Sequence, residues 1–563
     1  MKRTFVTYYL ILYVLLSGSS EMPAQTHPSG APGEMIHAWT DRTMYVSGEK
    51  IFFSAVLREF NDTSKTEFSR ILYCELITPE GKRITGGKYS LTNLMFHGCI
   101  TIPEEIISGF YYLRFYTRFN RNFSTGNYCY ILLKIVNPYK PDVLKGTRNP
   151  DSAGYFSNIE KTPVKESLFK ISSNKTSFSP RETITITLQA ENRNESLKGL
   201  CLSVIPENTF QRWSFITDNT IDTFTQGNYV AETRGISLSG KLNEKNSGKP
   251  LPAARMNLSI IGDKDILVVK TDSSGRFFFA LPDYHGNKDI FLCADEVQDF
   301  VPEILIDNDF CSRPVFLPSP AFSLDDNEMK AAYKLAANFK VHSVFDRDTV
   351  PQEKTIEENQ SSFYGKPSSV LIFDKYIDMP TLEDYFTELP VIVKIKKVKG
   401  KKQFRFFSEN IEMTMFAPVV LVDWVPVSDI EKILAMSPAE IDRIELVEHP
   451  YIKGNITFGG IISFISKKND FAGIDLPKSG TFVNYSFLEG CTGNIHTGQL
   501  PDNIPDFRNT VYWNPDVKTD SAGTTDISFT APDTPGNYQI LLRGMSETNM
   551  EVLTEGLISV KKN

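Results

Sequence analysis

Catalysis by side chains needs a nucleophile, an acid or base, or a metal held by convergent ligands, and each leaves a spacing in the sequence. The seven histidines, His27, His37, His97, His285, His342, His449 and His496, stand far apart. They form no HExxH and no i, i+4 pair to grip zinc from one helix face, and they read as ordinary surface or core residues. No GxSxG elbow presents a serine for acyl transfer, and no Walker-type glycine loop cradles phosphate. "GDKD" at 262–265 and "DDNE" at 325–328 carry oxygen ligands, but not at the spacing of a calcium loop, so they read as a solvated turn and a helix start. The seven cysteines (74, 99, 129, 201, 293, 311 and 491) are widely spaced and form no CxxC, so they read as buried apolar residues. One or two disulfides fit an oxidising compartment. Arg443 and Glu445 alternate along one strand and read as a solvated pair on its exposed face, with partner docking as the functional alternative. The expectation is a chain with no catalytic residue, no cofactor and no metal.

The elements that must position these residues are mostly strands. Aromatic residues make up 12% of the 563, including 40 Phe and 23 Tyr, and such side chains suit pleated sheets. That length suggests three to five domains. A net charge of −8 argues against nucleic acid as the main partner. The single basic run, "KIKKVKGKK" from Lys394 to Lys402, reads as a charged hairpin turn, and its functional alternative is peripheral contact with anionic lipid headgroups or lipopolysaccharide. At the start, Lys2 and Arg3 precede an apolar core from Phe5 to Leu16 and then small residues, the pattern of a secretory signal peptide over 1–25. No cysteine follows it to take a lipid anchor. The expected location is therefore exported: periplasmic or outer-membrane-associated.

Along the chain, 34–138 shows strands at short spacing with turn signals between them, a β-sandwich pattern. In "AWTDRTMYVSGEKIFFSAVL", Ile51, Phe53, Ala55 and Leu57 alternate with a period of two. The opening recurs in a second sandwich segment, 169–230: Asn174-Lys175-Thr176 stands where Asp41-Arg42-Thr43 stood, and Phe178, Glu182 and Ile184 match Tyr45, Glu49 and Ile51. Asp41 with Glu49, and Asn174 with Glu182, are expected to bond turn amides. "TDRTMYVSGEKIFF", "SGFYYLRFYT" and "IVNP" resemble the macroglobulin-type domain of the alpha-macroglobulin family, but the Cys-x-Glu-Gln segment of that family's reactive thioester is missing. A third segment, 235–312, with "TDSSGRFFF" as a hairpin, is similar to the carboxypeptidase regulatory-like sandwich, which implies no zinc ligands and no catalysis. Then 323–369 reads as a helix, capped by Ser323 with Ala332, Leu335, Ala336 and Phe339 on one face, followed by a polar linker. A last sandwich is expected at 481–563.

The segment 370–475 is the most specified. "VVLVDWVPV" is an apolar run broken by Asp423; Ser428 with Glu431 and Ser437 with Glu440 read as capping boxes; "IDRIELVEH" alternates; and Gly454 and Gly459-Gly460 allow turns. "VLVDWVPV", "SPAEIDRIELVEHP" and "FGGIISFISKK" resemble the plug domain of TonB-dependent outer-membrane receptors. The motif residues are Asp423, Ile444, Glu445, Gly459, Gly460 and Lys467, and Trp424 departs from the usual glycine. The residues after Lys468 are too few for the barrel of about 22 strands that follows a receptor plug. The whole set resembles exported multidomain proteins of Bacteroidota.

The expected fold is thus mainly β and multidomain: tandem Ig-like or macroglobulin-type sandwiches plus one small α/β plug-like domain. The expected role is a non-enzymatic cell-envelope binding or scaffold protein. Its partner would be another envelope protein such as an outer-membrane barrel, associated with TonB-dependent transport. The alternative is a protease-binding or defence protein without a thioester. Sequence leaves the oligomeric state open.

Overall fold

The computed structural model describes residues 34–59, 68–92, 95–146, 168–191, 197–213, 229–295, 301–345, 361–389, 392–398, 400–408, 410–491, 504–546 and 551–561. The expected signal peptide, 1–25, and most of the polar linker expected after the helix lie outside the described residues.

The first sandwich holds β1 (Glu34–Thr40), β2 (Met44–Val46), β3 (Lys50–Glu59), β4 (Ile71–Ile77), β5 (Arg83–Thr92), β6 (Met95–Thr101), β7 (Gly109–Tyr116) and β8 (Cys129–Val136). They are ordered β1-β3-β6-β5-β4-β7-β8-β2. Ile51, Phe53 and Ala55 are fully buried and Leu57 partly so, as their alternation requires. β7 is buried along its whole length rather than on one face. Leu113 and Phe115 fill this sandwich's core, while Phe110, Tyr112 and Tyr116 face outward into contacts with later parts of the chain.

Those later parts are nested. A second sandwich opens with β9 (Phe169–Ser173), β10 (Ser177–Phe178), β11 (Thr183–Ala190) and β12 (Leu197–Pro206). The chain then leaves it for a third, containing β13 (Ser237–Glu244), β14 (Arg255–Ile260), β15 (Ile266–Lys270), β16 (Arg276–Ala280), β17 (Asn287–Ala294) and β18 (Pro302–Ile306). Helix α1 (Asp326–Phe345) follows.

The plug-like unit comes next, with β19 (Ser369–Ile372), α2 (Leu382–Glu388), β20 (Val393–Val398), β21 (Lys401–Phe406), α3 (Ile411–Met415), β22 (Val419–Val422), β23 (Val425–Pro426), α4 (Ile430–Leu434), β24 (Ile441–Val447), β25 (Tyr451–Lys453), β26 (Ile456–Phe458) and β27 (Ile461–Ser466). The chain then returns to the third sandwich through β28 (Thr481–Ser486), and to the second through β29 (Tyr512–Asn514), β30 (Thr524–Thr530), β31 (Gly536–Ser546) and β32 (Glu551–Val560).

The strand pairing corrects the reading of 169–230 and 481–563 as separate sandwiches. One sheet runs β10-β32-β31-β12-β29 and the facing one β30-β11-β9, so each mixes both segments. The physical reason is closure: Ile184, Ile186 and Leu188 on β11 need Ile527 and Phe529 on β30 to complete a core, and neither half could cover its own apolar face. β28 likewise adds a fourth strand to the β15-β14-β17 sheet. The "TDSSGRFFF" turn forms, with Asp272 Oδ1 accepting from the amides of Ser274 and Arg276. Its two strands, β15 and β16, however go to opposite sheets, so it is an arch rather than a hairpin.

The internal repeat extends to single hydrogen bonds. Asp41 accepts from the Phe52 amide (3.0 Å) and Asn174 from the Thr185 amide (3.3 Å). Glu49 accepts from the Val46 amide (2.7 Å) and Glu182 from the Ser179 amide (2.9 Å). The short strand inside each turn pairs in parallel with a distant one, β2 with β8 and β10 with β32.

Three further connections bind the nested parts. Ala332, Leu335, Ala336 and Phe339 of α1 pack on Met44 and Val46 of β2. The helix is capped by Asp325, whose carboxylate accepts from the Asn327 and Glu328 amides, rather than by Ser323, whose carbonyl instead accepts from Lys134 Nζ. Trp39, Val56 and Met95 of the first sandwich pack against Cys201, Trp513 and Met545 of the second. A disulfide joins Cys99 on β6 to Cys491 just beyond β28, with Cα atoms 5.4 Å apart, while Cys74, Cys129, Cys201, Cys293 and Cys311 are free thiols.

Candidate functional site

The plug-like sheet is ordered β19-β24-β27-β22-β23 and is buried on both faces, which accounts for the continuous apolar run at 419–422. On one face Val420, Val422, Ile444, Leu446, Ile462 and Phe464 meet α2, α4 and the β20–β21 hairpin. On the other, Val419, Leu421, Val447 and Ile461 meet Ile266 and Val268 of β15 in the third sandwich. Local caps hold the helices, but not the ones expected. Asp429, not Ser428, caps α4 by accepting from the Glu431 and Lys432 amides. Ser437 makes no capping bond, and Thr381 with Asp384 forms the capping box present here, on α2.

The six motif residues separate into structural jobs. Asp423 accepts from the Ser466 amide (2.8 Å), the Ser466 hydroxyl (2.6 Å) and the Phe471 amide (2.8 Å), tying the β22–β23 turn to the end of β27. Ile444 lies in the core opposite Phe464. Gly459 has no room for a side chain: a Cβ there would sit 2.2 Å from the Phe416 carbonyl oxygen. Gly460 has φ +102°, and a Cβ would meet Phe406 at 2.6 Å and the Val447 carbonyl at 2.7 Å. Lys467 reaches Asp374 at 3.4 Å.

Glu445 overturns the reading of an exposed, solvated pair. It is 8% exposed, accepting from Tyr364 Oη (2.6 Å) and Arg443 Nε (2.7 Å), because the residues leading into β19 and the third sandwich cover that face. Burial and then Glu445 push the Tyr364 phenol up to about 12. Burial opposes the Arg443 charge, but Glu445 and Asp442 outweigh it and hold the guanidinium above its ordinary value.

Trp424 is where the sequence pattern and the structure meet most directly. Asp423 and Trp424 both have positive φ, 45° and 61°, as a two-residue turn between antiparallel strands requires. A non-glycine residue in that region costs about 1–2 kcal/mol. Contacts to the third sandwich offset this cost. The ring packs against the cluster that contains Ile266 and Val268 of β15, the Trp424 carbonyl accepts from Ser259 Oγ (3.3 Å), and Lys264 Nζ lies 5.7 Å from the ring centre. Lys453 to Asp265 (2.6 Å) is a further tie between the two units, so the "GDKD" turn serves as a docking point.

Between the plug-like unit and the third sandwich lies a cleft of about 700 Å³, lined by Lys264, Asp374, Asp423, Trp424, Arg443 and Lys467 among others. It brings Asp423 and Lys467 together, while Ile444, Gly459 and Gly460 do not line it. Its charges are mutually engaged: Arg443 with Asp442 (2.7 Å), Lys467 with Asp374, and Asp423 with its three donors. Among the described residues, no three His, Cys, Asp or Glu side chains converge as a metal site needs.

Sequence reading missed Lys264, Asp374 and Asp442 as lining residues, since only the packing of distant segments assembles the cleft. It also missed the buried charges between sandwiches. Arg42 bonds Glu49 (2.5 Å) and the Thr510 hydroxyl (2.5 Å), and Asn509 reaches Glu49 (2.6 Å). Lys88 donates to Asp309 and to the Ser486 carbonyl (2.6 Å). Burial lowers the Lys88 ammonium against the pull of Asp309, and burial raises the nearby Glu232 carboxyl against Arg118. The recurring Asp-Arg and Asn-Lys pairs were the available signal for the first cluster.

No family model matches the chain, and no curated protein matches it in sequence. Among solved structures, Escherichia coli alpha-2-macroglobulin activated by porcine elastase overlaps 94% of this chain and 44% of its own, at 10% identity and a TM-score of 0.24. Salmonella alpha-2-macroglobulin reacted with methylamine overlaps 94% of this chain and 24% of its own, at 10% identity and a TM-score of 0.16. Dimeric latent PorU from Porphyromonas gingivalis overlaps 49% of this chain and 34% of its own, at 11% identity and a TM-score of 0.15. The chain spans less than half the length of each of these structures, and overlaps this loose carry no argument about activity. The chain is a mainly β, multidomain sandwich protein, and its solved neighbours include bacterial alpha-2-macroglobulins at low identity.

Proposed function

We propose that this chain is an exported, non-catalytic binding scaffold of the cell envelope that presents its plug-like unit to a protein partner. The observation that carries the reading is the nesting. The plug-like unit is inserted within the third sandwich, which is itself inserted within the second, and both its ends are anchored. It also leans on the third sandwich through Trp424 and Lys453. Two-ended insertion and shared packing limit rigid-body freedom, which suits presentation of a surface rather than closure over a substrate. An outer-membrane barrel is the partner class that the plug resemblance suggests, and TonB-dependent transport the process.

The test is affinity capture from envelope extract with the full chain and with a chain whose 361–476 segment is replaced by a short linker. Loss of specific partners on removal supports the reading, and an unchanged set of partners overturns it. Noncovalent protease binding is a second reading, favoured by the hydrogen-bond-level repeat of the first two sandwiches. It predicts capture by a chain lacking 361–476.

A further inference from the structure

The β20–β21 hairpin of the plug-like unit has two chemically different faces. Inward, Val393, Phe404 and Phe406 join the core, and Lys402 is held by Glu383 at 2.8 Å. The pairing Lys394↔Arg405 and Lys396↔Gln403 gives Lys394, Lys396 and Arg405 the opposite, outward parity, while the Lys394 ammonium reaches back to the Phe386 carbonyl of α2 (3.4 Å). Lys396 and Lys397 are exposed and have no ion partner among the described residues. The segment 394–416 carries seven basic residues against two acidic ones, Glu409 and Glu412, in a chain whose net charge is −8. The positive charge is therefore local rather than a property of the whole surface.

The same edge exposes large apolar side chains. Phe407 follows buried Phe406 and so points to the basic face, where it is 76% exposed. Ile411 and Met415, one turn apart on α3, are 70% and 69% exposed, whereas Met413 between them is buried. Three exposed apolar residues within nine positions of one another, directly after a basic hairpin in the chain, suit a partner that is both apolar and negatively charged. An anionic bilayer surface supplies both at once, with headgroups for the lysines and the acyl boundary for Phe407, Ile411 and Met415.

We infer that this edge, β20–β21 with α3, is a peripheral docking surface for an anionic lipid bilayer. The site is independent of the protein partner proposed above. Its failure leaves that proposal standing, and failure of the capture experiment leaves this one standing.

The experiment is vesicle co-sedimentation of the full chain with phosphatidylcholine vesicles alone and with about 30% phosphatidylglycerol. The expected result is binding only to the anionic vesicles, lost in high salt because exposed charges are screened. Lys394→Gln/Lys396→Gln/Lys397→Gln is expected to weaken that binding by tenfold or more. Phe407→Ser/Ile411→Ser should weaken it while leaving the salt dependence. Lys340→Gln on α1 is the distant control and should bind like the native chain. All substituted side chains are exposed, so an unchanged melting curve certifies the fold. Binding to neutral and anionic vesicles alike, no binding by the native chain, or equal loss in the Lys340 control each overturns the inference. Capture of a protein through this edge with no vesicle binding also overturns it.

Discussion

The repeat of the first two sandwiches allows one interaction to be tested at two burials. Arg42 and Lys175 hold equivalent positions, each beside the glutamate seven residues on, Glu49 and Glu182. Arg42 is 1% exposed and touches Asp41, Glu49, Met44 and Thr510, so it also locks the first sandwich to the second. Burial opposes its charge, but Glu49 and Asp41 overcome that and hold the guanidinium above its usual value. Arg42→Ala leaves two carboxylates buried without their cation, and breaking such a pair costs about 3–5 kcal/mol. Against a urea slope of about 1–3 kcal/mol per molar, the transition reporting this seam should fall by about 1–5 M. Lys175 is 58% exposed in its side chain, and solvent screens its pair, so Lys175→Ala should leave the same transition in place. The assay is urea unfolding followed by tryptophan fluorescence, because Trp39 and Trp513 both lie in the seam. Equal shifts for the two variants, or no shift for Arg42→Ala, would refute the view that burial between sandwiches gives the repeat its strength.

Further expectations concern the plug-like unit and its ties. Gly460→Ala should destabilise that unit by about 3 kcal/mol, since positive φ and a 2.6 Å Cβ contact with Phe406 coincide, and limited proteolysis of 361–476 should quicken accordingly. Asp423→Ala removes three hydrogen bonds from a buried carboxylate and should cost about 3–5 kcal/mol, read as early loss of amide protection at Ser466 and Phe471. Tyr364 keeps its proton up to about 12 when folded and to about 10 when unfolded. Its contribution is therefore full below pH about 10 and lost as pH rises toward 12, and Tyr364→Phe should remove this alkaline step from a stability-against-pH curve. Cys99→Ser/Cys491→Ser should cost about 2–4 kcal/mol. Proteolytic fragments joined by that bridge in the native chain should separate on non-reducing gels.

Much of the local architecture was legible from side-chain type and spacing. Alternation marked β3, the helix face of Ala332, Leu335, Ala336 and Phe339 was placed correctly, and Glu49 and Glu182 bond the turns assigned to them. The two glycines of the plug-like motif were read as backbone requirements, and they are. Cap identities were not legible, because Ser323 and Asp325, or Ser428 and Asp429, compete within one turn and small differences in backbone geometry choose between them. Nor was the burial of Glu445, which depends on Tyr364 arriving from outside the motif.

The sequence by itself determined the strand-rich class, the repeated turn and the small α/β unit, because each depends on contacts that close within one continuous stretch of chain. Only the tertiary structure decided that β11 needs β30, that β28 completes the sheet of β17, that Cys99 meets Cys491, and that Trp424 wedges the plug-like unit onto a neighbouring sandwich. The physical reason is distance along the chain. The partner strands of β11 and β30 are separated by more than 300 residues. Hydrophobic burial has no direction and leaves no periodic mark of which remote apolar face it will use.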